Sequence, residues 1–249
     1  MSTFITKETI SRLLNDVKQI IKNPLTENGI YYIHDDTDIL KGYALIIGPS
    51  ETPYFAGNFF FEFTYPTDYP HSPPKVTYCT NGNGIRFNPN LYKCGKVCVS
   101  LLNTWTGDQW TSCQTISTVL LTLCTLLCKD PLLNEPGVTK HHNEFEKYTK
   151  IIEYSNIDVA ICDVINKKQG LHIPFFDSFY HIVLENFQKK YDDILKFIDT
   201  KIDENKGKEN NLVKGGFYNM TVTIDYPKLK EKLTTLYSKK FIQKLSEEK

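Results

Sequence analysis

The sequence predicts an α+β fold: a four-stranded antiparallel meander sheet with an N-terminal helix and a central buried helix, followed by a mostly helical C-terminal extension. Three observations predict it. Apolar residues recur at three- and four-residue spacing near the N-terminus. Short strand-like segments separated by polar turns come next, and such strands pair with their sequence neighbours beneath a covering helix. Beyond residue 137 the apolar spacing becomes helical again.

The N-terminal half supplies the sheet and two helices. An apolar stripe starting at Ile10 predicts a helix that Asn23-Pro24 ends, because proline disfavours a helical residue before it. The segment Gln114–Cys128 is apolar nearly all round and predicts the buried helix. A proline-rich connection and a long irregular region, Asn81–Ser112, lie between sheet and helix, and such regions are usually functional. The predicted strands are Ile30–His34, Leu40–Ile47, Asn58–Tyr65 and Lys75–Cys79.

The C-terminal part alternates helical patterns with polar breaks. Glu144–Lys167 carries an apolar stripe, and Pro174 is predicted to open a helix that runs through Ile198. Lys201–Asn211 is polar and predicts a loop. Phe217–Tyr226 predicts a short strand, and Pro227 is expected to begin a last amphipathic helix.

Composition limits the kinds of partner. The 249 residues are 41% apolar, which is enough for a full core, and 29 basic residues balance 29 acidic ones. The net charge of zero therefore gives no electrostatic reason to expect binding to nucleic acid or to a membrane surface. The expected partners are proteins or small molecules. The N-terminus does not look like a secretory signal, and no apolar run reaches membrane-spanning length. We expect a cytoplasmic location, with the nucleus as an alternative, and seven reduced cysteines.

The most informative segment is FNPNLYKCGKVCVSLL, from Phe87 to Leu102. It resembles the active-site segment of ubiquitin-conjugating enzymes, with Asn90 eight residues before Cys98. The upstream Y-P-x-x-Y-P-x-x-P-P at 65–74 and Trp110 ahead of an apolar helix are further family elements, in family order. Asn-Glu-Pro-Gly at 134–137 and Val-Ala-Ile-Cys-Asp at 159–163 narrow the resemblance to the Z-type enzymes. It implies the UBC-like fold, with a catalytic core over 1–150 and an extension over 151–249 packed on that core.

The resemblance implies a thioester carrier. Cys98 would accept ubiquitin or a ubiquitin-like modifier from an activating enzyme and pass it to a substrate lysine or a ligase. For this role the thiol is expected to be exposed. The chain itself would need no cofactor, since the upstream activating enzyme uses the ATP.

Two further residues receive roles from the family. Asn90 is the candidate donor to the oxyanion that forms when an amine attacks the thioester, although it could also brace the loop through backbone bonds. Glu135 stands where the family has an acidic gate beside the incoming lysine; the alternative is a solvated loop charge. The usual family histidine is replaced by Asn88, so we expect a desolvated lysine to react without a general base.

Family docking surfaces map onto the second helix and two loops. The predicted modifier-docking edge comprises Thr118, Leu121, Thr122 and Thr125, with the alternative that Leu121 is core. The predicted ligase-binding loops comprise His71, Ser72, Cys113 and Gln114. Neither loop has an aromatic anchor, so we expect a restricted ligase requirement or none.

Other interpretations stay open. Cys94 and Cys98 with His141 and His142 could form a zinc site, but no Cys-x-x-Cys pair supports it, and no metal is expected. A catalytically weak UBC-fold binding module is a second possibility, which Cys98 and Asn90 argue against. An active core that serves chiefly as an assembly platform is the third.

Overall fold

The computed structural model of the chain describes residues 4–168, 173, 175–206 and 211–242. Helix α1, Lys7–Lys22, comes first. The Thr6 hydroxyl caps it by accepting from the Thr9 N–H at 3.0 Å. Its inner face buries Leu13 and Ile20, and it ends at Asn23, before Pro24. The predicted first helix is therefore confirmed.

A four-stranded antiparallel meander follows, with strand order β1-β2-β3-β4. Each strand pairs with its sequence neighbour, as short strands joined by turns are expected to do. The predicted sheet is confirmed, with strand ends shifted by at most a residue. The strands are β1 Ile30–His34, β2 Lys41–Ile47, β3 Asn58–Thr64 and β4 Lys75–Tyr78.

Strand β3 is buried on both faces. Phe59, Phe61 and Phe63 pack into one core with α1 and with helix α2, Ile116–Leu126. Phe60 points to the opposite face and packs into a second core. Because side chains alternate across a strand, the aromatic run of β3 joins two hydrophobic layers.

The second core is made by the extension. Helix α3, Phe145–Ser155, continues into a π-helical stretch, Asn156–Asp163, and is followed by α4, Phe176–Glu204. A hairpin of β5, Asn211–Gly215, and β6, Met220–Ile224, leads to α5, Tyr226–Tyr237, and a final π-helical turn, Ser238–Ile242. The predicted α+β fold with a largely helical extension is confirmed.

One local prediction about the extension is wrong. Lys201–Glu204 belongs to α4 rather than to a loop, because Ile198 and Ile202 continue its apolar face and Lys201 pairs with Glu153 at 3.0 Å. The short strand predicted over 217–226 is confirmed as β6, which pairs with a second strand in the hairpin. That strand, NLVKG, was missed because it lies beside a polar run. Pro174 lies outside the described residues.

The extension packs directly on the sheet. Phe175 stacks on Tyr43 with ring centroids 4.3 Å apart, and Asn58 Nδ2 donates to the Ala160 carbonyl at 2.9 Å. Gly57 allows the closest approach, since a Cβ there would lie 2.0 Å from Asn156 Oδ1. The predicted boundary at residue 150 falls inside α3 and stays a prediction. In the described part of the chain, no helix has both the length and the hydropathy that crossing a membrane requires.

Candidate active site

Cys98 and Asn90 form a reciprocal pair. The Cys98 N–H donates to the Asn90 carbonyl at 2.9 Å, and Asn90 Nδ2 donates to the Cys98 carbonyl at 2.6 Å. The eight-residue spacing is closed by a turn, in which the Tyr92 N–H donates to the Lys96 carbonyl and Gly95 takes φ +89°. The two residues are therefore brought together, as the motif predicted.

Asn88 is the buried support of this turn. Its Oδ1 accepts the Asn90 N–H at 2.9 Å, and its Nδ2 donates to the Leu126 carbonyl at 2.7 Å and to Tyr54 Oη at 3.2 Å. This amide is fully buried, and its three partners lie on three different parts of the chain. It therefore holds the segment around Asn90 in place, and an amide cannot act as a base. The residue in the family's histidine position is thus structural here.

The Asn90 amide has spare hydrogen-bonding capacity. Its Nδ2 carries two N–H groups, and the described contacts use one of them on the Cys98 carbonyl. Its Oδ1 is buried without a partner among the described residues. The bracing role that the sequence left open is therefore present in this structure, and the described contacts leave one N–H of the amide unused.

The Cys98 thiol is not exposed, contrary to the sequence-based expectation. Only 3% of the residue is accessible, and its S–H donates to the Thr104 carbonyl at 2.8 Å. The reason is the chain that follows Asn103, which takes φ +54° and folds Thr104 back over the sulfur. Acylation of this thiol requires the side chain to turn outward or this loop to move.

Thr104 fixes that fold-back. Its Oγ1 accepts the Val99 N–H at 2.9 Å and lies within 3.1 Å of the Val97 carbonyl, so one side chain holds both sides of Cys98. The neighbouring Trp105 is half exposed. Sequence reasoning missed Thr104, because no motif announces a threonine that bonds only backbone atoms.

Glu135 is not a simple solvated loop charge. It follows the turn Pro131–Asn134 and is partly buried, and Oε2 accepts a hydrogen bond from the Tyr218 hydroxyl. Tyr218 belongs to the turn of the β5–β6 hairpin, 83 residues further along the chain. Burial, assisted by the Glu135 bond, raises the pKa of Tyr218. Sequence reasoning missed this contact because it joins the core to the extension.

The predicted docking edge lies on the outer face of α2. Leu121 is 41% exposed, so the alternative that it is core is wrong. Thr125 is exposed, whereas Thr118 and Thr122 are half-buried with carbonyl oxygens that accept bonds from Thr122 and Thr125. Val119, Leu120 and Leu123 are buried as expected. The role of this edge stays a prediction.

The two predicted ligase loops meet at α1. Arg12 donates to the carbonyls of Ser112 and Gln114, and exposed His71 lies 3.5 Å from Glu8. Trp110 Nε1 also donates to the Pro70 carbonyl at 2.7 Å, which ties one loop to the other. Ser72 bonds Asp68, and Cys113 is exposed. The fold therefore forms one continuous surface from both loops.

Burial affects the acidity of four of the other six cysteines. Burial raises the pKa of Cys162 to about 12, and it also raises the pKa of Cys79 to about 12 and the pKa values of Cys124 and Cys128. These thiols are poor nucleophiles. Cys94 is exposed. Within the described residues, no group of three or more His, Cys, Asp or Glu side chains could hold a metal ion.

The sequence matches the model of one protein family, described as ubiquitin-conjugating enzyme, over residues 12–156. The chain belongs to the ubiquitin-conjugating enzyme family. It is 38% identical to human ubiquitin-conjugating enzyme E2 Z over 188 residues, which is 74% of this chain and 51% of that protein. The resemblance to the Z type is thereby confirmed.

Two other relatives cover less of this chain and less of their own length. A probable ubiquitin-conjugating enzyme, protein 17 of Caenorhabditis elegans, is 36% identical over 71% of this chain and 25% of its own length. The human dual E2 ubiquitin-conjugating enzyme/E3 ubiquitin-protein ligase BIRC6 is 45% identical over 46% of this chain and 2% of its own. The chain spans about half the length of its E2 Z relatives.

Proposed function

We propose that this member of the family is a thioester carrier, which holds ubiquitin or a ubiquitin-like modifier on Cys98 and delivers it to a lysine or to a ligase. The observation behind the proposal is the Asn90–Cys98 pair, in which the Asn90 amide donates to the backbone carbonyl of the cysteine that occupies the acceptor position of the family motif. The ATP needed to activate the modifier would be used by the activating enzyme.

Loading is an exchange of thioesters. The Cys98 thiolate attacks the carbonyl carbon of the activating enzyme's thioester, a new C–S bond forms, and the old thiolate leaves. The incoming acyl group is already activated, so a modest thiolate fraction suffices. The S–H bond to the Thr104 carbonyl has to be released first, which makes opening of that contact part of the loading step.

Discharge replaces sulfur by nitrogen. A lysine amine attacks the thioester carbon, a C–N bond forms, the Cys98 thiolate leaves, and the amine loses a proton to solvent. The free N–H of Asn90 would donate to the oxyanion of the intermediate. Glu135 would accept a hydrogen bond from the approaching amine and hold it in an attack geometry.

Partner surfaces follow from the same interpretation. The α2 edge with Leu121 would hold the bound modifier, and the surface that Arg12 and Trp110 assemble would receive an activating enzyme or a ligase. The extension would help to select the activating enzyme. Protein substrates complete the set, and a cytoplasmic location with access to the nucleus fits it.

The test is a thioester assay on the whole chain. The protein is incubated with ATP and several pairs of activating enzyme and modifier, and the products are separated on a non-reducing gel. A thiol-sensitive adduct is expected, which Cys98→Ala abolishes and Cys98→Ser converts into a thiol-resistant ester. An adduct that survives Cys98→Ala but not Cys94→Ala would overturn the site. If no pair of activating enzyme and modifier gives an adduct, the carrier proposal is overturned and the protein is a binding module of the same fold.

A further inference from the structure

The extension reaches the candidate gate through one side chain. The Tyr218 hydroxyl donates to Glu135 Oε2 across 83 residues of sequence. The other carboxylate oxygen, Oε1, has no hydrogen-bond partner in the described contacts. A carboxylate held by one oxygen has a fixed orientation and keeps the second oxygen for another donor.

The turn that presents Tyr218 is seated on the segment leading to Cys98. Tyr218 and Asn219 take φ +63° and +49°, the left-handed conformation of a tight hairpin turn. Lys93 Nζ donates to the Tyr218 carbonyl at 2.8 Å. The bond from Lys93 holds the backbone of Tyr218 in place. The position of the Tyr218 hydroxyl therefore does not depend on its bond to Glu135 alone.

Arg86 also holds the Tyr218 ring in place. Its guanidinium carbon lies 4.1 Å from the Tyr218 ring centroid and 3.7 Å from that of Tyr92, so the cation is held between two aromatic faces. The backbone N–H of Arg86 donates to Met220 Sδ at 3.2 Å, at the start of β6. The tyrosine ring is therefore fixed by packing that does not involve its hydroxyl.

We propose that Tyr218 is a positioning residue for aminolysis, which fixes Glu135 so that its second carboxylate oxygen can receive the incoming amine. The proposal rests on the proposed function, and deepens it by giving the extension a part in the transfer step. A phenol is protonated at neutral pH, and burial raises the pKa of Tyr218 further, so it remains a donor to the carboxylate. Tyr218 would therefore influence the transfer step only through the position of Glu135.

The experiment compares two nucleophiles on preloaded full-length protein. Free lysine needs its amine deprotonated and oriented, whereas hydroxylamine is already neutral at pH 7 and reacts without a gate. Single-turnover discharge is measured with each for the wild type and for Tyr218→Phe, Glu135→Ala and the double variant. Tyr218→Phe keeps the ring over Arg86 and removes only the hydroxyl. Tyr237→Phe, a tail tyrosine whose ring stacks on Tyr191, is the matched control.

We expect Tyr218→Phe to lower the ratio of lysine to hydroxylamine discharge about tenfold, the size of one hydrogen bond to a charged group. In the Glu135→Ala background the same change should have no further effect, because the group it positions is gone. Tyr237→Phe should keep the wild-type ratio. A merely structural tyrosine would slow both nucleophiles alike.

Three results would overturn the proposal. They are an unchanged ratio in Tyr218→Phe, an equal loss with both nucleophiles, and a full additional loss on top of Glu135→Ala. Each leaves the carrier function standing, since loading and discharge would still be seen. A protein that forms no thioester on Cys98 would overturn the proposed function, and this inference with it.

Discussion

The amide of Asn90 and the backbone of Cys98 hold each other, with the Asn90 side chain on the Cys98 carbonyl at 2.6 Å and the Cys98 N–H on the Asn90 carbonyl at 2.9 Å. A single asparagine therefore fixes the backbone of Cys98, the proposed nucleophile, while the described contacts leave one N–H of its amide unused. The two roles can be separated, because loading and discharge place different demands on an oxyanion donor.

Asn90→Ala should slow discharge to lysine about a hundred- to a thousandfold, the usual cost of one oxyanion donor, and slow loading far less. Asn90→Asp is the matched variant, since it keeps the shape and removes the N–H donor. Single-turnover rates for both steps test this. Equal slowing of loading and discharge would mean that Asn90 only holds the Cys98 backbone in place. A lower melting temperature would then report the loss of that contact.

Glu135→Ala should slow lysine discharge, with the largest defect at low pH, where the lysine is hardest to deprotonate. The physical reason is that a carboxylate beside the amine stabilises the positive charge that the nitrogen carries after attack, until solvent takes the proton. Glu146→Ala removes an exposed charge from α3 and serves as the control. A defect that is the same at every pH would count against the gate.

Leu121→Arg should leave loading intact and depress discharge, because a docked modifier is held in an attack geometry worth several kcal/mol at its largest. Because Leu121 is exposed, we expect the variant to fold normally, and a melting curve checks this. Leu212→Arg places the same change on another exposed leucine, in β5, and should discharge normally. Normal discharge by Leu121→Arg would remove the docking role of this edge.

Cys98 should be alkylated more slowly than Cys94 and Cys113 at a fixed pH, because it is buried under the Thr104 carbonyl while they are exposed. Thr104→Val should speed labelling of Cys98 by removing the hydroxyl that pins the loop. Mass spectrometry of peptides after timed iodoacetamide treatment measures each site. Labelling of Cys98 as fast as that of Cys94 would contradict the closed arrangement.

Phe60→Ala should lower the free energy of unfolding by about 3–5 kcal/mol, since it opens a cavity between the sheet and the extension. Glu62→Ala, two residues on along the same strand, should change it by about 0.5 kcal/mol or less. Urea denaturation measures both. A small effect at Phe60 would mean that the extension is only loosely attached.

Local patterns were enough to predict most of the fold. The stripe of α1, the four strands and the buried side of α2 follow from spacing that each element carries within itself. The residues around Cys98 were recognisable because an ordered motif holds them within one stretch. The exposure of Leu121 was expected only from the family resemblance, since the helix itself is apolar nearly all round.

Contacts between distant segments could not be predicted in this way. The bond from Tyr218 to Glu135 depends on how the hairpin is seated, and the closure over Cys98 depends on one left-handed residue, Asn103. The end of α4 was missed for a similar reason, since Lys201 reads as a loop residue until Glu153 is beside it. In each case tertiary partners outweigh local composition.

Strand β3 lies between two hydrophobic layers, with Phe61 in one and Phe60 in the other. Both layers depend on the same strand, so unpacking either layer would expose the side chains of β3 and weaken the strand for the other layer. Core and extension should therefore melt as one cooperative unit, with a single calorimetric transition. The amides of β3 should exchange with deuterium only through global opening, more slowly than those of the β5–β6 hairpin.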